Sequence, residues 1–389
     1  MNSQILSELS SVTPGGSQTL SKQANRYPAN YPKGLYHGCG GRVYDLDGKE
    51  YIDLISGLGA ISVGYCNPKV DLKVMAQLRD GVSFSLPTVV EWEAARKLTE
   101  LVPGTDMWKF GKTGTDGVLM AVRAARAFTG RKEILTFGYH GCTDHFECLG
   151  TRQAGMIDMR SWTHPWEYMK TLTRYAAVVL EPWMLTQTIT KEIREYCNKY
   201  GTLLIADEVV TGGRFEGFTA SSYIKVVPDL YVLGKGLANG FPLCAVGGTR
   251  RIMSTFERDD FFASGTFNGE TVSLAAFLAT QKILTEKIPT MVKHGKDIQD
   301  WFNQQFAGLA SCVGYPTRLD FQFLNKNDKY KFWQEMCKRE VLIGYNNFIM
   351  ADHTNEDVDK IKDAIYDVRT NFDKVELEGP IPSEALKRG

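Results

Sequence analysis

Apolar residues in the middle of the chain occur in short continuous runs, and these runs predict an α/β fold. Five of them are strand candidates: EILTF (133–137), AAVVLEP (176–182), TLLIADEV (202–209), LYVLGKG (230–236) and LCAVGG (243–248). Continuous apolar strands are typical of parallel sheets that are covered on both faces. The segments between these strands have apolar residues at helical spacing. An example is EIREYCNKYG (192–201), which ends at a glycine. We therefore predict a mostly parallel central sheet flanked by helices.

The two ends of the chain have different patterns. The segment up to residue 35 is polar and interrupted by proline and glycine, which predicts an N-terminal arm. VYDLDGKEYIDL (43–54) predicts a β-hairpin, because two β-prone runs flank the turn pair Asp47-Gly48. TRLDFQFL (317–324) reads as a strand, and apolar residues at helical spacing follow Thr354, a candidate N-cap. A smaller α+β lobe is therefore expected at the C-terminus.

These patterns divide the chain into three predicted parts. Residues 1–67 form the arm and hairpin segment, residues 68–285 the large α/β domain, and residues 286–389 the small α+β domain. In open α/β sheets, ligands bind beyond the carboxyl ends of the strands. We therefore expect any active site at the edge where the apolar strands of the large domain end.

Composition narrows the class of protein. The chain has 389 residues, of which 43% are hydrophobic and 23% charged, as in an ordinary globular enzyme or binding protein. Forty-five basic residues balance 45 acidic ones, so charge gives no support for binding to nucleic acid or to a membrane surface. The eight cysteines form no CxxC pair, so we expect no metal site and a reducing, cytoplasmic compartment. No signal peptide and no membrane-spanning helix is predicted.

Three features at the ends of predicted strands carry candidate chemistry. Lys235 follows an apolar run and lies between two glycines, and Asp207 comes at the end of another run. KTGTDG (112–117) opens a helical run, so its hydroxyls and backbone N–H groups form a candidate anion site at a helix N-terminus. Taken alone, each feature also fits an ordinary role: a strand-end lysine, a capping aspartate and a helix N-cap.

In combination the three features match the requirements of pyridoxal 5′-phosphate (PLP). An amine condenses with the aldehyde of PLP, a carboxylate keeps the pyridine nitrogen protonated, and a helix N-terminus binds the phosphate. A buried aspartate stays charged only beside a cation or hydrogen-bond donors, and a pyridinium supplies that partner. We therefore predict a PLP enzyme in which Lys235 and Asp207 are catalytic.

The chain resembles the class III, fold type I PLP-dependent aminotransferases, and among them the glutamate-1-semialdehyde aminomutases and their aminotransferase relatives. The resemblance covers nearly the whole length. The matching motifs are PGG (14–16), KTGTDGVLMAVRAARAFTGR (112–131), YHG (139–141), LEP (180–182), DEVVTGGRF (207–215), LGKGLANGFPLCAVGG (233–248) and SGTFNGE (264–270), which occur in family order.

The resemblance implies roles for individual residues. Lys235 is the lysine linked to the cofactor and the base that moves the proton, and Asp207 is the partner of the pyridine nitrogen. Val209 and Tyr139 lie on the two faces of the ring, and His140 is a further cofactor-binding residue. Thr113, Gly114 and Thr115 hold the phosphate.

One implied role points to a second subunit. In the family, the threonine of the SGTF-like stretch reaches the phosphate of the neighbouring subunit, and in this chain that residue is Thr266. The resemblance therefore implies a homodimer with shared active sites. Glu181 and Glu208 would support the site indirectly or serve as structural residues.

The chain departs from the family pattern near the cofactor ring and at the substrate carboxylate. Many members have a glutamine that hydrogen-bonds the ring hydroxyl of PLP, and this chain has Val210 at that position. The partner of the hydroxyl is therefore unassigned. The segment GYNNFIMADHTNED (344–357) contains no arginine for a substrate carboxylate. Lys22, or nearby Arg26, could bind the substrate carboxylate instead. The competing interpretation is that Lys22 is a solvated residue of the arm. Glu181 is a second candidate for contact with the substrate.

The expected activity is transfer of an amino group between an amine or amino acid and a carbonyl acceptor. The segment between His140 and Glu181 is short for an aminomutase, in which this region retains the intermediate, so the aminotransferase is favoured. Glutamate-1-semialdehyde 2,1-aminomutase is the alternative, and a PLP racemase or decarboxylase is a third. A catalytically silent binding module would have no need for the lysine, the aspartate and the phosphate loop together.

Overall fold

The computed structural model of the chain describes residues 8–142, 156–158, 172–183 and 187–383. The strands are β1 Leu35–Cys39, β2 Arg42–Asp45, β3 Glu50–Asp53, β4 Met107–Gly111, β5 Glu133–Phe137, β6 Met156–Asp158, β7 Tyr175–Leu180, β8 Leu203–Glu208, β9 Leu230–Leu233, β10 Cys244–Gly248, β11 Ala310–Val313, β12 Arg318–Phe323, β13 Val341–Leu342 and β14 Asn347–Phe348. The helices are α1 Pro68–Asp80, α2 Val89–Leu101, α3 Gly114–Thr129, α4 Gln187–Tyr200, α5 Ala220–Tyr223, α6 Arg250–Met253, α7 Thr271–Gln305, α8 Lys326–Lys338 and α9 Asn355–Asn371.

A seven-stranded sheet of order β4-β10-β9-β8-β7-β5-β6 forms the centre of the unit Pro68–Thr285. Strands β5 to β9 pair in parallel, whereas β10 pairs antiparallel with both β9 and β4. The predicted mostly parallel sheet is therefore confirmed. All five predicted strands are present, but β4 and β6 did not stand out as apolar runs in the sequence.

Helices cover both faces of this sheet. Val118, Ala121 and Ala125 of α3 pack in one buried cluster with strand residues such as Val232 and Val246. Ile193 and Cys197 of α4 belong to a second cluster with residues such as Leu135 and Leu204, whose side chains alternate onto the opposite face. Helix α3 ends at Gly130, whose φ of 70° gives the left-handed C-cap that glycine adopts without strain. The buried apolar runs thus become strands because helices exclude water from both sides.

The second unit consists of Met1–Asn67 and Glu286–Gly389. The predicted hairpin is β2 paired antiparallel with β3, and β3 then pairs in parallel with β13 from the far end of the chain. A separate sheet has the order β11-β12-β14. The arm contacts the same region, because Tyr31 Oη donates to the carbonyl oxygen of Ile343 at 2.9 Å.

The limits of the two compact units coincide with the boundaries expected after residues 67 and 285, and one unit combines the first and third expected parts. The hairpin segment belongs to the same compact unit as the C-terminal residues, since β3 needs β13 as its neighbour. Between residues 285 and 286 the chain is continuous helix α7, with no linker. Within the arm, the described residues form three short 3₁₀ turns, Pro14–Gly16, Leu20–Lys22 and Ala24–Arg26.

A left-handed turn follows β3 in this unit. Ser56, Gly57, Leu58 and Gly59 all have φ values between 52° and 83°. The buried carboxylate of Asp53 holds the start of the turn, because it accepts from the N–H groups of Ile55 (2.8 Å) and Ser56 (3.1 Å). Two non-glycine residues are thereby kept in a region of φ that is unfavourable for them.

No helix within the described ranges has the length and apolar character that are needed to cross a bilayer.

The buried His353 predicts a pH dependence of stability. Its Nδ1 accepts from the N–H of Met350 at 3.0 Å, and burial lowers the pKa of His353 to about 4. The unfolded chain takes up this proton near the ordinary pKa of 6.5, so stability conferred by neutral His353 is complete above pH 6.5 and falls as the pH approaches 4. We expect a loss of about 2 kcal/mol at pH 5 relative to pH 7 from this residue.

The His353→Asn variant tests this expectation, because asparagine retains an acceptor for Met350 N–H and does not titrate. The free energy of unfolding, measured in urea between pH 7 and pH 5, should fall less steeply in the variant than in the wild type. Equal slopes would show that His353 does not titrate as its burial implies.

Candidate active site

The candidate site lies at the edge of the seven-stranded sheet where the parallel strands end. β8 ends with Asp207 and Glu208, and its neighbour β9 is followed by Gly234 and Lys235. The parallel register places Asp207 opposite Val232 and Glu208 opposite Leu233. Lys235 therefore comes two residues after the partner of Glu208. The predicted amine and carboxylate leave adjacent strands at the same edge, as the rule for open α/β sheets requires.

The backbone at Lys235 has an unusual conformation. Lys235 has a φ of 45°, in the left-handed region, and its side chain is half-buried. The preceding Gly234 allows a close approach, since a Cβ there would lie 3.2 Å from Cγ1 of Val209 and 3.7 Å from Cα of Gly114. An alanine at position 234 would require Val209 to shift by a few tenths of an ångström. Glycine is thus the residue that fits this strand end without adjustment.

His140 holds the carboxylate of Asp207. Asp207 is 5% exposed and His140 is 2% exposed. Nδ1 of the histidine lies 2.8 Å from Oδ2 of the aspartate. The other ring nitrogen, Nε2, lies 2.8 Å from the carbonyl oxygen of Phe137. The second carboxylate oxygen, Oδ1, accepts from the N–H of Val209 at 3.1 Å.

These contacts fix the orientation of both side chains. The carbonyl oxygen of Phe137 can only accept a hydrogen bond, so Nε2 of His140 is the nitrogen that donates to it. The ring is thereby held with Nδ1 against Oδ2 of Asp207, which orients the carboxylate.

The predicted phosphate site is the N-terminus of α3. The hydroxyl of Thr113 caps the helix, accepting from the N–H of Asp116 at 3.2 Å, and Asp116 Oδ2 accepts in return from the N–H of Thr113 at 2.8 Å. Thr115 Oγ1 accepts from the N–H of Cys142 at 3.2 Å. The first N–H groups of a helix have no partner within it, so this terminus favours an anion.

Gly114 brings this helix terminus against the end of β8. A Cβ at Gly114 would lie 2.7 Å from Cγ1 and 2.8 Å from Cγ2 of Val209, distances that real side chains do not tolerate. The glycine is therefore needed for Val209, the predicted residue under the ring, to lie directly beside the predicted phosphate site.

Tyr139 and Glu181 follow neighbouring strands at the same edge. Tyr139 comes after β5 and Glu181 after β7, and the backbone N–H of Tyr139 donates to Oε1 of Glu181 at 3.4 Å. The side chain of Tyr139 is 37% exposed, so its ring has an open side. Glu181 thus positions the backbone that carries the aromatic residue.

Glu208 has a structural role. It is completely buried and accepts from the N–H groups of Ala220 (2.9 Å) and Ser221 (2.7 Å), and from the hydroxyl of Thr211. Burial raises its pKa, although these hydrogen bonds oppose the shift. The side chain therefore fastens the loop after β8 to the start of α5, on the side of the strand away from Asp207.

Other predicted site residues lie elsewhere or outside the description. Thr266 is exposed in the segment before α7, and Lys22 is exposed in the other unit. Val210 is half-buried after β8. The segment between His140 and Glu181, predicted to be a short gate, lies mostly in residues 143–155 and 159–171, outside the described residues. In the described part of the chain, no cluster of His, Cys, Asp and Glu side chains could hold a metal ion.

The segment 344–357 contains no arginine, but the cationic side chain of Arg318 contacts it. Arg318 of β12 donates from Nη2 to Oδ1 of Asn346 at 2.7 Å, since Arg318 is the register partner of Phe348 in β14. The sequence of 344–357 does not reveal this residue, because strand pairing rather than proximity in the chain places Arg318 beside Asn346.

The residues present fit pyridoxal phosphate. A half-buried amine, an oriented carboxylate and a helix N-terminus with two hydroxyls are the donors and acceptors that the aldehyde, the pyridine nitrogen and the phosphate require. The close packing of Gly114, Val209 and Gly234 leaves these groups around one point of the sheet edge. The individual roles remain predictions from the resemblance.

Comparison with known proteins agrees with this fit. The sequence profile of the family described as aminotransferase class-III matches residues 27–165 and 170–313. The chain is 29% identical to 3-aminobutyryl-CoA aminotransferase of Cloacimonas acidaminovorans (strain Evry), over 94% of this chain and 96% of that protein. It is 31% identical to glutamate-1-semialdehyde 2,1-aminomutase of Syntrophobacter fumaroxidans (strain DSM 10017 / MPOB), over 89% and 92% of the two chains.

The fold is shared with solved transaminase-like structures. The FumI protein of Sphingopyxis sp. MTA144, solved in its PLP internal aldimine form, superposes with a TM-score of 0.88 at 23% identity and covers 96% of this chain and 98% of its own. Fold and site together define a fold type I PLP transferase. The chain belongs to the class-III aminotransferase family, and it is accordingly a PLP-dependent enzyme that transfers amino groups.

The contact between Gly114 and Val209 generates a testable prediction. In Gly114→Ala the new methyl group overlaps the stiff, β-branched Val209, and we expect a loss of roughly 1–3 kcal/mol in the free energy of unfolding. Val209→Ala in the same chain makes room for that methyl group. The double variant should lose less than the sum of the two single losses, measured in a urea-unfolding double-mutant cycle. Additive losses would mean that the two residues are not in contact.

Proposed function

We propose that the enzyme transfers an amino group from a small amine or amino acid to a carbonyl acceptor in two half-reactions, with Lys235 as the covalent attachment residue and the general base. The observation that supports this most directly is the register of β8 and β9, which brings Asp207 and Lys235 to one edge beside the N-terminus of α3. A lysine and an aspartate at this edge have no comparable use in a binding module.

Binding and orientation of the cofactor are assigned to five residues. Thr113 and Thr115, with the N–H groups of Gly114 and Thr115, bind the phosphate at the helix N-terminus. Tyr139 covers one face of the ring with its open side, and Val209 contacts the other. Covering both faces excludes water from the reacting atoms.

The proton movements are assigned to Lys235 and Asp207. Bound PLP supplies an electron-withdrawing ring that stabilises negative charge on the substrate carbon. Asp207 would hold a proton on the pyridine nitrogen through its carboxylate, whose Oδ2 is fixed by His140 and whose Oδ1 accepts from the N–H of Val209. Lys235 Nζ would act as the general base that takes the proton from the substrate carbon.

The second candidate function is glutamate-1-semialdehyde 2,1-aminomutase. The 31% identity to the Syntrophobacter fumaroxidans aminomutase favours it, since the comparison covers 89% of this chain. Formation of 5-aminolevulinate from glutamate-1-semialdehyde without an added amino donor or acceptor would assign the mutase reaction. A requirement for a separate donor and acceptor would assign the transferase.

Recognition of the substrate is left to a small set of charged residues. Lys22 and Glu181 are the candidates from the sequence. The contact of Glu181 with the N–H of Tyr139 supports an indirect role for Glu181. A screen of amino donors with the Lys22→Ala and Glu181→Ala variants separates these assignments.

We further propose that the enzyme is a homodimer with shared active sites. The segment between α1 and α2 exposes large apolar side chains, among them Phe84 (54%) and Leu86 (76%), and Phe267 near Thr266 is 62% exposed. These regions adjoin each other, since the N–H of Thr271 donates to the carbonyl oxygen of Val82 at 3.0 Å. Monomers rarely expose contiguous apolar surface of this kind, and a second copy of the chain would cover it.

A reducing cytoplasm is the compartment that we propose. Each of the seven cysteines in the described ranges is a free thiol. Free cysteines at this number are typical of proteins that function under reducing conditions.

The role of Lys235 predicts the loss of both colour and turnover in Lys235→Ala. The purified wild type should show the yellow absorbance of covalently bound PLP, and the variant should lack it because no amine condenses with the aldehyde. We expect amino-group transfer to fall by at least about 10³-fold, measured as keto product in single turnovers. Lys235→Arg is the matched control, since it keeps the positive charge and cannot form the link. A colourless wild type in excess PLP contradicts the proposal.

The role of Thr266 predicts complementation between two inactive variants. Lys235→Ala and Thr266→Ala subunits, mixed and allowed to exchange, form heterodimers in which one site has both residues if Thr266 acts on its neighbour. Activity should then rise above that of either variant alone. If Thr266 acts within its own subunit, neither site of the heterodimer is intact, and the mixture stays at the average of the two variants.

A further inference from the structure

Lys112 lies immediately before the predicted phosphate site, yet its ammonium group faces other parts of the chain. It follows β4 and precedes Thr113, the N-cap of α3. Nζ donates to Oε1 of Glu270 at 2.6 Å, to the carbonyl oxygen of Pro242 at 3.2 Å and to Oγ of Ser273 at 3.3 Å. An ammonium group has three hydrogens, so these three acceptors account for all of them.

Glu270, the partner of Lys112, caps helix α7. Its carboxylate accepts from the N–H groups of Val272 (2.7 Å) and Ser273 (3.1 Å), and from the hydroxyl of Ser273. The side chain of Lys112 is 20% exposed and that of Glu270 is 10% exposed. Burial alone would raise the pKa of Glu270, but the hydrogen bonds from Lys112 and Ser273 outweigh it and lower the pKa. The pair is therefore an ionised, largely desolvated bridge.

Three segments meet at this bridge, and each carries residues of the proposed site. Lys112 continues directly into the phosphate site at Gly114 and Thr115. Pro242 ends the loop that begins with Lys235 and leads to β10. Glu270 ends the exposed segment that contains Thr266, the residue proposed to reach a second subunit.

We propose that Lys112 and Glu270 are positioning residues of the cofactor site, which fix the phosphate-binding turn, the loop after Lys235 and the Thr266 segment relative to one another. This inference rests on the proposed function, because it concerns the placement of those residues around PLP. Lys112 itself is not a phosphate ligand, since its three hydrogens are engaged and its charge is neutralised by Glu270. Desolvated pairs of this kind are costly to break because one charge is left without its partner.

The test measures release of PLP from the loaded, full-length enzyme. Holoenzymes of wild type and variants are diluted into buffer with a PLP scavenger, and the decay of the bound-cofactor absorbance gives the release rate. Lys112→Met keeps the length of the side chain and removes the ammonium group. We expect release to accelerate on the order of tenfold, as is common when a residue that supports a ligand-holding group is lost.

Two further variants separate positioning from a general loss of stability. Lys112→Arg retains the charge and the donors, so its release rate should return close to that of the wild type. Arg194→Met is the matched control, because Arg194 forms a 2.6 Å ion pair with Asp229 in the same unit at comparable exposure, 15% and 25%. It should lower the melting temperature and leave PLP release unchanged.

The outcomes assign failure to one claim or the other. If wild type holds PLP and folded Lys112→Met releases it at the wild-type rate, the inference is wrong and the proposed function stands. Where Lys112→Met does not fold, Glu270→Gln decides, since it keeps the capping oxygen and removes the charge; an unchanged release rate overturns the inference. A wild type that retains no PLP overturns both.

Discussion

The parallel pairing of β8 with β9 is the constraint on which the rest of the site depends. It sets Asp207 opposite Val232, so that the carboxylate and the amine of Lys235 emerge at one edge. The pairing is secured by buried apolar side chains on both faces of the sheet, not by the charged residues themselves. Packing in the core therefore determines the geometry of the chemistry, and the reactive groups need contribute nothing to folding.

Orientation at that edge comes from a small number of close contacts. His140 fixes one oxygen of Asp207, and Glu208 uses its buried carboxylate to hold the following loop, so two adjacent acidic residues have different tasks. Strand alternation sends the two side chains to opposite faces. The same sequence pair thus provides one oriented carboxylate at the candidate site and one structural anchor.

The sequence predicted those parts of the fold that depend on local pattern. Continuous apolar runs predicted five strands of the central sheet, and Thr354 and Gly201 marked a helix start and a helix end correctly. Long-range pairings were beyond such reasoning. The alignment of β3 with β13, the ion pair of Lys112 with Glu270 and the contact of Arg318 with Asn346 join residues that are far apart in the chain.

The candidate site was predictable for a different reason. Lys235, Asp207 and the turn at Gly114 each lie where a strand or helix ends, and those ends can be located from apolar periodicity and glycine placement. The pairing of His140 with Asp207 was not predictable, because hydrogen-bond partners depend on which strands are neighbours. The role proposed for Thr266 concerns a second copy of the chain, and no pattern within one copy defines it.

The left-handed backbone at Lys235 sets stability against the proposed chemistry at this position. A non-glycine residue at a φ of 45° costs on the order of 1 kcal/mol, a strain that glycine would not experience. A Lys235→Gly chain would therefore gain stability while it lost the amine that is proposed to bind PLP. A trade-off between stability and activity is common where a functional residue is held in an unfavourable conformation.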